Sequence, residues 1–197
     1  MWVSDFDNNG TIEQIVTQNL NGKDMPVHQK QEIVSQMVSL KKQNLKASEY
    51  SKKSIQELFS VEKLNKIREK KVNTSETIIA INNGNGNFEI MSLPPRTQLS
   101  CVCGITCADV NNDGNLDIIM GGNNFEFRPQ YSRLDANYGS VLLNDGSLNF
   151  EWKDYEQSGF FIREEIKHIS KFNDKDGNTF VIVAINDEKP KVFAVNE

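Results

Sequence analysis

One nine-residue pattern occurs twice, and it constrains this chain more than anything else in it. Asp5-Phe6-Asp7-Asn8-Asn9-Gly10-Thr11-Ile12-Glu13 returns as Asp109-Val110-Asn111-Asn112-Asp113-Gly114-Asn115-Leu116-Asp117. Oxygen-bearing side chains stand at positions one, three, five and nine of each copy, and a glycine at position six permits the sharp turn that folds them around one point. Such a loop is a cage for a hard cation. The expected ligands are Asp5, Asp7, Asn9, the Thr11 carbonyl and Glu13 in the first loop, and Asp109, Asn111, Asp113, the Asn115 carbonyl and Asp117 in the second. Each set carries three carboxylates and neither sulfur nor imidazole. That selects Ca²⁺ over zinc or copper, and magnesium is disfavoured because it keeps its waters. The bland reading is a pair of Asp/Asn/Gly turns without an ion, since these residues favour turns anyway. A plain turn does not ask for acidic residues at alternate positions, however, and without a cation they repel one another. An EF-hand opens in the same way but ends on a bidentate Glu at position twelve and is flanked by helices. Here position twelve is Val16 or Met120, each in a strand-like run.

Outside residues 24–71 the chain reads as short β-type runs separated by Asn/Asp/Gly turns: 12–17, 77–81, 88–91, 102–108, 116–120, 141–143 and 180–185. Many short strands with frequent turns mean a sandwich, barrel or propeller. A second repeat chooses among these. Asn82-Asn83-Gly84-Asn85-Gly86-Asn87-Phe88 returns as Asn144-Asp145-Gly146-Ser147-Leu148-Asn149-Phe150, each a hairpin turn between strands. The simplest account is one four-stranded unit, with an acidic loop between its first two strands and an Asn/Gly turn between its last two, repeated as propeller blades repeat. The fold class expected is therefore mainly β: a partial β-propeller of about three four-stranded blades, formed by 1–23 and 72–197. Asn173-Asp174-Lys175-Asp176-Gly177 places phenylalanines at the first and last motif positions and reads as a plain hairpin turn.

The block 24–71 breaks the pattern. Ile33, Val34, Met37, Val38 and Leu40 recur at helical spacing, and Ser54-Ile55-Gln56-Glu57 is a capping-box signature. Two or three short helices are expected there, inserted within the first blade. Three blades cannot close a ring, which takes at least ~4. Open sheet edges then predict further blades, a partner or self-association.

Charge and chemistry exclude several classes. Lys+Arg 22 against Asp+Glu 27 leaves net charge -5, so the whole molecule has no electrostatic reason to seek nucleic acid or an anionic membrane. The helical block holds eleven basic and six acidic residues, and reads as a solvated face. No apolar run approaches the ~20 residues that cross a bilayer, and Met1-Trp2-Val3-Ser4-Asp5 lacks the flank and apolar stretch of a secretory signal. Cys101, Cys103 and Cys107 are an odd set with no partnered histidine, so they are expected to be small buried hydrophobes.

The two loops, with the Asn/Gly-Phe turns, resemble the FG-GAP/VCBS repeats of integrin α-chain propellers and of many bacterial surface and secreted proteins. The stretch Ser39-Leu40-Lys41-Lys42 through Ser54-Ile55-Gln56-Glu57-Leu58-Phe59 extends this. So does Arg133-Leu134-Asp135-Ala136-Asn137-Tyr138-Gly139, and both look like the C-terminal region of Bacteroidetes VCBS-repeat proteins of the UnbV/cartilage-acidic-protein group. The resemblance implies a propeller fold, bound calcium, and a periplasmic, extracellular or cell-surface location, where millimolar calcium fills sites of affinity ~10⁻⁴–10⁻³ M. It implies little about activity, because such repeats recur in proteins of many functions.

Three functions compete. In the first, calcium stiffens the loops of a module for protein or glycan binding, adhesion or scaffolding. Its candidate surface is Phe125, Phe127, Tyr131, Arg133, Asp135 and Tyr138, a long loop rich in aromatics. The structural alternative is that these aromatics pack inward and Arg133 pairs with Asp135 to pin the loop. The second is a propeller-based glycan hydrolase or lyase with a pocket shaped by the helical insert. No Gly-x-Ser-x-Gly elbow is present and His28 and His168 lack triad partners, though Glu126 and Asp135 leave a carboxylate pair open. The third, an intracellular calcium sensor, is opposed by the strand flanks and the missing twelfth-position Glu.

Overall fold

The computed structural model describes residues 1–127 and 132–195, and these fall into two compact units, Met1–Thr74 and Ser75–Glu197. Strand outweighs helix, and the strands form several small antiparallel sheets with no closed barrel.

In the first unit β1 (Trp2–Ser4) pairs with β2 (Glu13–Ile15), placing Trp2 opposite Ile15 and Ser4 opposite Glu13. A hairpin of β3 (Thr17–Leu20) and β4 (Lys23–Pro26) turns on Asn21-Gly22, both at positive φ as a two-residue hairpin demands. Five short helices follow: α1 (Lys30–Gln36), α2 (Ser39–Gln43), α3 (Ala47–Tyr50), α4 (Ile55–Leu58) and α5 (Val61–Leu64). The capping box at α4 forms, with the Ser54 N–H donating to the Glu57 carboxylate at 2.8 Å. None of these helices reaches the ~12–15 residues that an isolated helix needs, so packing holds them.

That packing ties the helices to the strands before them. Ile33, Met37, Leu40, Tyr50, Ile55, Leu58 and Leu64 share one core with Trp2, Phe6 and Ile15. Ile15, Met37 and Ile55 are fully buried, each worth about 1.5–3 kcal/mol relative to exposure. The chain then returns as β5 (Arg68–Glu69) along the second edge of β1, making β1 the centre of a three-stranded sheet. Residues 24–71 thus belong to the same compact unit as β1 and β2. Five short helices are described instead of the two or three expected, because non-helical breaks of two to four residues separate them.

The second unit opens with a hairpin of β6 (Ile78–Asn82) and β7 (Phe88–Ser92). A four-stranded meander follows, β8 (Gly104–Ala108), β9 (Asp117–Gly121), β10 (Ser140–Asn144) and β11 (Phe150–Lys153). After the short α6 (Tyr155–Ser158) comes a three-stranded meander, β12 (Ile166–Asn173), β13 (Thr179–Ile185) and β14 (Lys191–Ala194). Side chains alternate across a strand, and β9 and β10 bury both faces. Ile119 and Val141 face the β12–β14 sheet with Ile166, Ile169, Val181 and Val183. Met120 and Leu142 form the other layer with Leu93, Ile79 and Trp152. Gly104 makes the close approach of β8 to β12 possible, since a Cβ there would lie 2.7 Å from Ile169 Cγ1.

Three four-stranded blades were expected. Among the described residues one sheet has four strands, and the others have three, three, two and two. That sheet has the expected internal order, with the acidic loop between its first two strands and the Asn/Gly turn between its last two. The cysteines depart from expectation. Cys103 and Cys107 are exposed and Cys101 is half-buried, because Cys101 to Cys103 precede β8 and Cys107 lies on its outer face.

Candidate functional site

The two acidic loops are the same object built twice. Position four is left-handed in both (Asn8 φ 58°, Asn112 φ 61°), as is the glycine at position six (Gly10 φ 87°, Gly114 φ 85°). The position-one carboxylate accepts the N–H groups of positions five and six: Asp5 from Asn9 and Gly10, Asp109 from Asp113 and Gly114. The position-five side chain accepts the N–H of position seven, Asn9 from Thr11 at 2.7 Å and Asp113 from Asn115 at 2.8 Å. The position-nine carboxylate reaches back to the N–H of position two, Glu13 to Phe6 at 2.7 Å and Asp117 to Val110 at 2.8 Å. A turn formed by chance composition does not reproduce four such bonds at four fixed offsets.

The loops differ in what remains unsatisfied. In the second, all six carboxylate oxygens of Asp109, Asp113 and Asp117 accept an N–H, the last two from the Asn111 side chain and from the Asn144 backbone on β10. In the first, one oxygen from each of Asp5, Asp7 and Glu13 lies within 4.8 Å of the others. Glu13 is only 3 % exposed, and its Oε1, like Asp7 Oδ1, is buried without a hydrogen-bond partner. A buried carboxylate oxygen with nothing to accept from is costly. The three converging carboxylates also repel one another by about 1 kcal/mol per pair even in bulk water, and more where water is excluded. A divalent ion offsets both costs, and the donor set of carboxylates and amide oxygens fits calcium. Among the described residues the second loop does not bring three acidic groups to that spacing.

Hydrogen bonds displace the titration of several turn carboxylates downward. The Gly10 N–H holds Asp5 below the usual aspartate value, the Asn115 N–H and then the Asn111 amide do so for Asp113, and the Asn149 and Asn178 amides lead for Asp145 and Asp174. A depressed folded value means that the unfolded chain binds more protons in acid. The stabilisation is therefore complete above the unfolded aspartate value and is lost as pH falls through the lowered folded values. In chelator-treated protein the urea midpoint is expected to be flat above about pH 5 and to fall below about pH 4. A midpoint unchanged at about pH 3 would show that these turns do not hold the fold.

A different turn scheme also occurs twice. Asp174 accepts the N–H groups of Asp176 and Asn178 as Asp145 accepts those of Ser147 and Asn149, and in each the Asn side chain donates back to the Asp. Asn173–Thr179 is thus a hairpin turn of the same design as Asn144–Phe150.

The aromatic loop is pinned from beneath and open above. Asn124 and Leu134 exchange backbone hydrogen bonds, and the Phe125 N–H donates to buried Glu165. Arg133 lies 3.7 Å above the Phe125 ring and pairs with Asp135 at 3.6 Å, both charges exposed. Phe125, Arg133, Asp135 and Tyr138 line a cleft of about 380 Å³ with Arg163 and Glu164. Phe127 is 42 % exposed, and Tyr131 lies outside the described residues. The Arg133–Asp135 pair expected of a pinned loop forms, and Phe127 and Tyr138 are exposed. Sequence reasoning missed the continuation of this surface: Phe161 sits 5.8 Å from Tyr138 and 4.9 Å from Tyr155, and Arg163 lies over Tyr138. Their only signal was Phe160-Phe161 beside Arg163, remote in sequence from the loop.

No protein-family model, characterised protein or solved structure matches this chain. No helix among the described residues is long and apolar enough to cross a membrane. The functional reading therefore rests on the chain's own geometry.

Proposed function

We propose that this chain is a calcium-binding β-repeat module, part of a propeller of the FG-GAP/VCBS kind, that works by presenting a surface to a protein or glycan ligand in an extracellular, periplasmic or cell-surface setting. The observation that carries the calcium assignment is Glu13, a buried carboxylate with one unpartnered oxygen, grouped with Asp5 and Asp7 so that one oxygen of each lies within 4.8 Å of the others. The repeated hydrogen-bond scheme of the two loops and the order of connections in the β8–β11 sheet support the repeat. A propeller incomplete in itself would meet further blades or a second copy through its open edges.

Aromatics and arginine are the residues that anchor interfaces. Tyr138, Tyr155 and Phe161 are each more than 40 % exposed; Tyr138 lines the cleft of the Phe125–Arg133 stack, and Phe161 links it to Tyr155. That favours binding over catalysis, as does the downward displacement of Asp5, Glu57, Asp113, Asp145, Glu164 and Asp174, which is toward permanent ionisation and away from general-acid duty. Calcium titration by calorimetry tests the assignment. A saturable site with a dissociation constant of about 10⁻⁴–10⁻³ M, weaker for magnesium, is expected. The absence of saturable binding at millimolar calcium would overturn it.

A further inference from the structure

Cys101 and Cys103 take no part in the cation loops or the aromatic surface, yet their sulfur atoms are only 3.9 Å apart. The backbone that carries them is fixed. The Cys103 N–H donates to the Gly121 carbonyl at 3.0 Å, and the Ser100 hydroxyl donates to Asn123 Oδ1 at 3.0 Å, so hydrogen bonds flank the pair on both sides. Gly122 lies directly beneath: a Cβ there would meet the Cys101 carbonyl oxygen at 2.5 Å and the Cys103 nitrogen at 2.7 Å. Two thiols are thus held side by side on a braced segment, one exposed and one half-buried. Zinc takes four ligands, and among the described residues no third Cys, His, Asp or Glu joins these two sulfurs. A disulfide needs Sγ–Sγ of about 2.05 Å, which side-chain rotation must close from the observed separation.

We propose that Cys101 and Cys103 form a redox-exchange site, a surface dithiol that reacts with small-molecule disulfides and closes reversibly to an intramolecular disulfide. Cys103 is the entry sulfur because it is exposed, while burial and the neighbouring Cys103 push the Cys101 thiol up. With oxidised glutathione as oxidant, the Cys103 thiolate attacks one sulfur and expels one glutathione thiolate, leaving a mixed disulfide. The Cys101 thiolate then attacks Cys103 Sγ and releases the second glutathione. Two S–H bonds become one S–S bond, and one disulfide becomes two thiols. A ring spanning a single intervening residue on an exposed segment belongs to the labile class of disulfides, easily reduced again. Cys107, also exposed but set on β8, has no neighbouring thiol in contact and is the internal control.

The test is exposure of the full chain to oxidised glutathione, followed by thiol counting and peptide mass mapping. The expected result is loss of two of the three free thiols, a 101–103 peptide lighter by two hydrogens, and full reversal by reduced glutathione. Cys101→Ser should trap a stable glutathione adduct on Cys103, whereas Cys107→Ser should leave closure unchanged. Three results would each overturn the proposal: a stable adduct on Cys103 in the unaltered chain with Cys101 still free, a disulfide to Cys107 or between chains, or no reaction of the pair.

Discussion

Glu13→Gln is expected to remove most of the stabilisation that calcium confers while leaving the ion-free protein as stable as the unaltered chain, or more so. A ligand that binds only the native state adds RT ln(1 + [L]/Kd), about 2.7 kcal/mol at a hundredfold excess over Kd. For a unit the size of residues 1–74 that raises the melting temperature by on the order of 10 °C. Glutamine keeps an oxygen to accept the Phe6 N–H but gives the ion no charge at position nine, so the rise should shrink to a small fraction. Without the ion the sign reverses. The variant removes a buried carboxylate oxygen that has no partner and lies among two other acids, and its new NH₂ donates to them. Asp117→Asn, at the same motif position of the second loop, should behave oppositely. Both Asp117 oxygens accept backbone N–H groups, from Val110 and Asn144, and asparagine turns one acceptor into a donor facing a donor, costing about 1–3 kcal/mol with or without calcium. Melting curves of both variants, with calcium and with chelator, decide the matter. If calcium stabilised Glu13→Gln as strongly as the unaltered chain, the ion would not be at Glu13.

This contrast shows where sequence is legible. The elbows could be read because they are local: Asn at position four and Gly at position six take the left-handed backbone, and the shared side-chain bonds span at most seven residues. The hairpin at Asn82–Phe88 and the capping box at Ser54 are local in the same sense. What failed needed long-range contacts or a broken period. The run Ile166–Asn173 was missed as a strand because its buried Ile166 and Ile169 are three apart, out of phase for a strand, and a register shift between Ile166 and His168 reconciles them. Asn173–Thr179, legible as a plain hairpin turn, is one, closed by Asp174 and Asn178 four residues apart. Whether Glu13 or Asp117 keeps a spare oxygen is decided by one N–H on a strand far along the chain, from Asn144 in the second loop and from no residue in the first.

Asn123 is the position where one side chain should matter most to the proposed ligand surface. It is 1 % exposed, and its carbonyl oxygen accepts from the Asn137 N–H at 3.1 Å and from the Ser100 hydroxyl at 3.0 Å. Its amide donates to the carbonyls of Asn137 at 2.8 Å and Arg163 at 3.2 Å. A single residue therefore ties the end of the aromatic loop to the segment before β8 and to the segment before β12. Asn123→Ala strips partners from several buried polar groups at once. Each costs about 1–3 kcal/mol when stranded, and shared relaxation brings the expected total to about 3–5 kcal/mol. The exposed Arg133–Asp135 pair nearby is worth at most about 1 kcal/mol, so Asp135→Ala serves as the mild comparison. Urea denaturation gives the stability change, and hydrogen exchange locates it: amides of residues 132–139 should lose protection in the alanine variant, while those of β13 change only with global stability. A loss under about 1 kcal/mol, with the 132–139 amides still protected, would mean that Tyr138 and its neighbours are positioned by their own packing rather than by this asparagine.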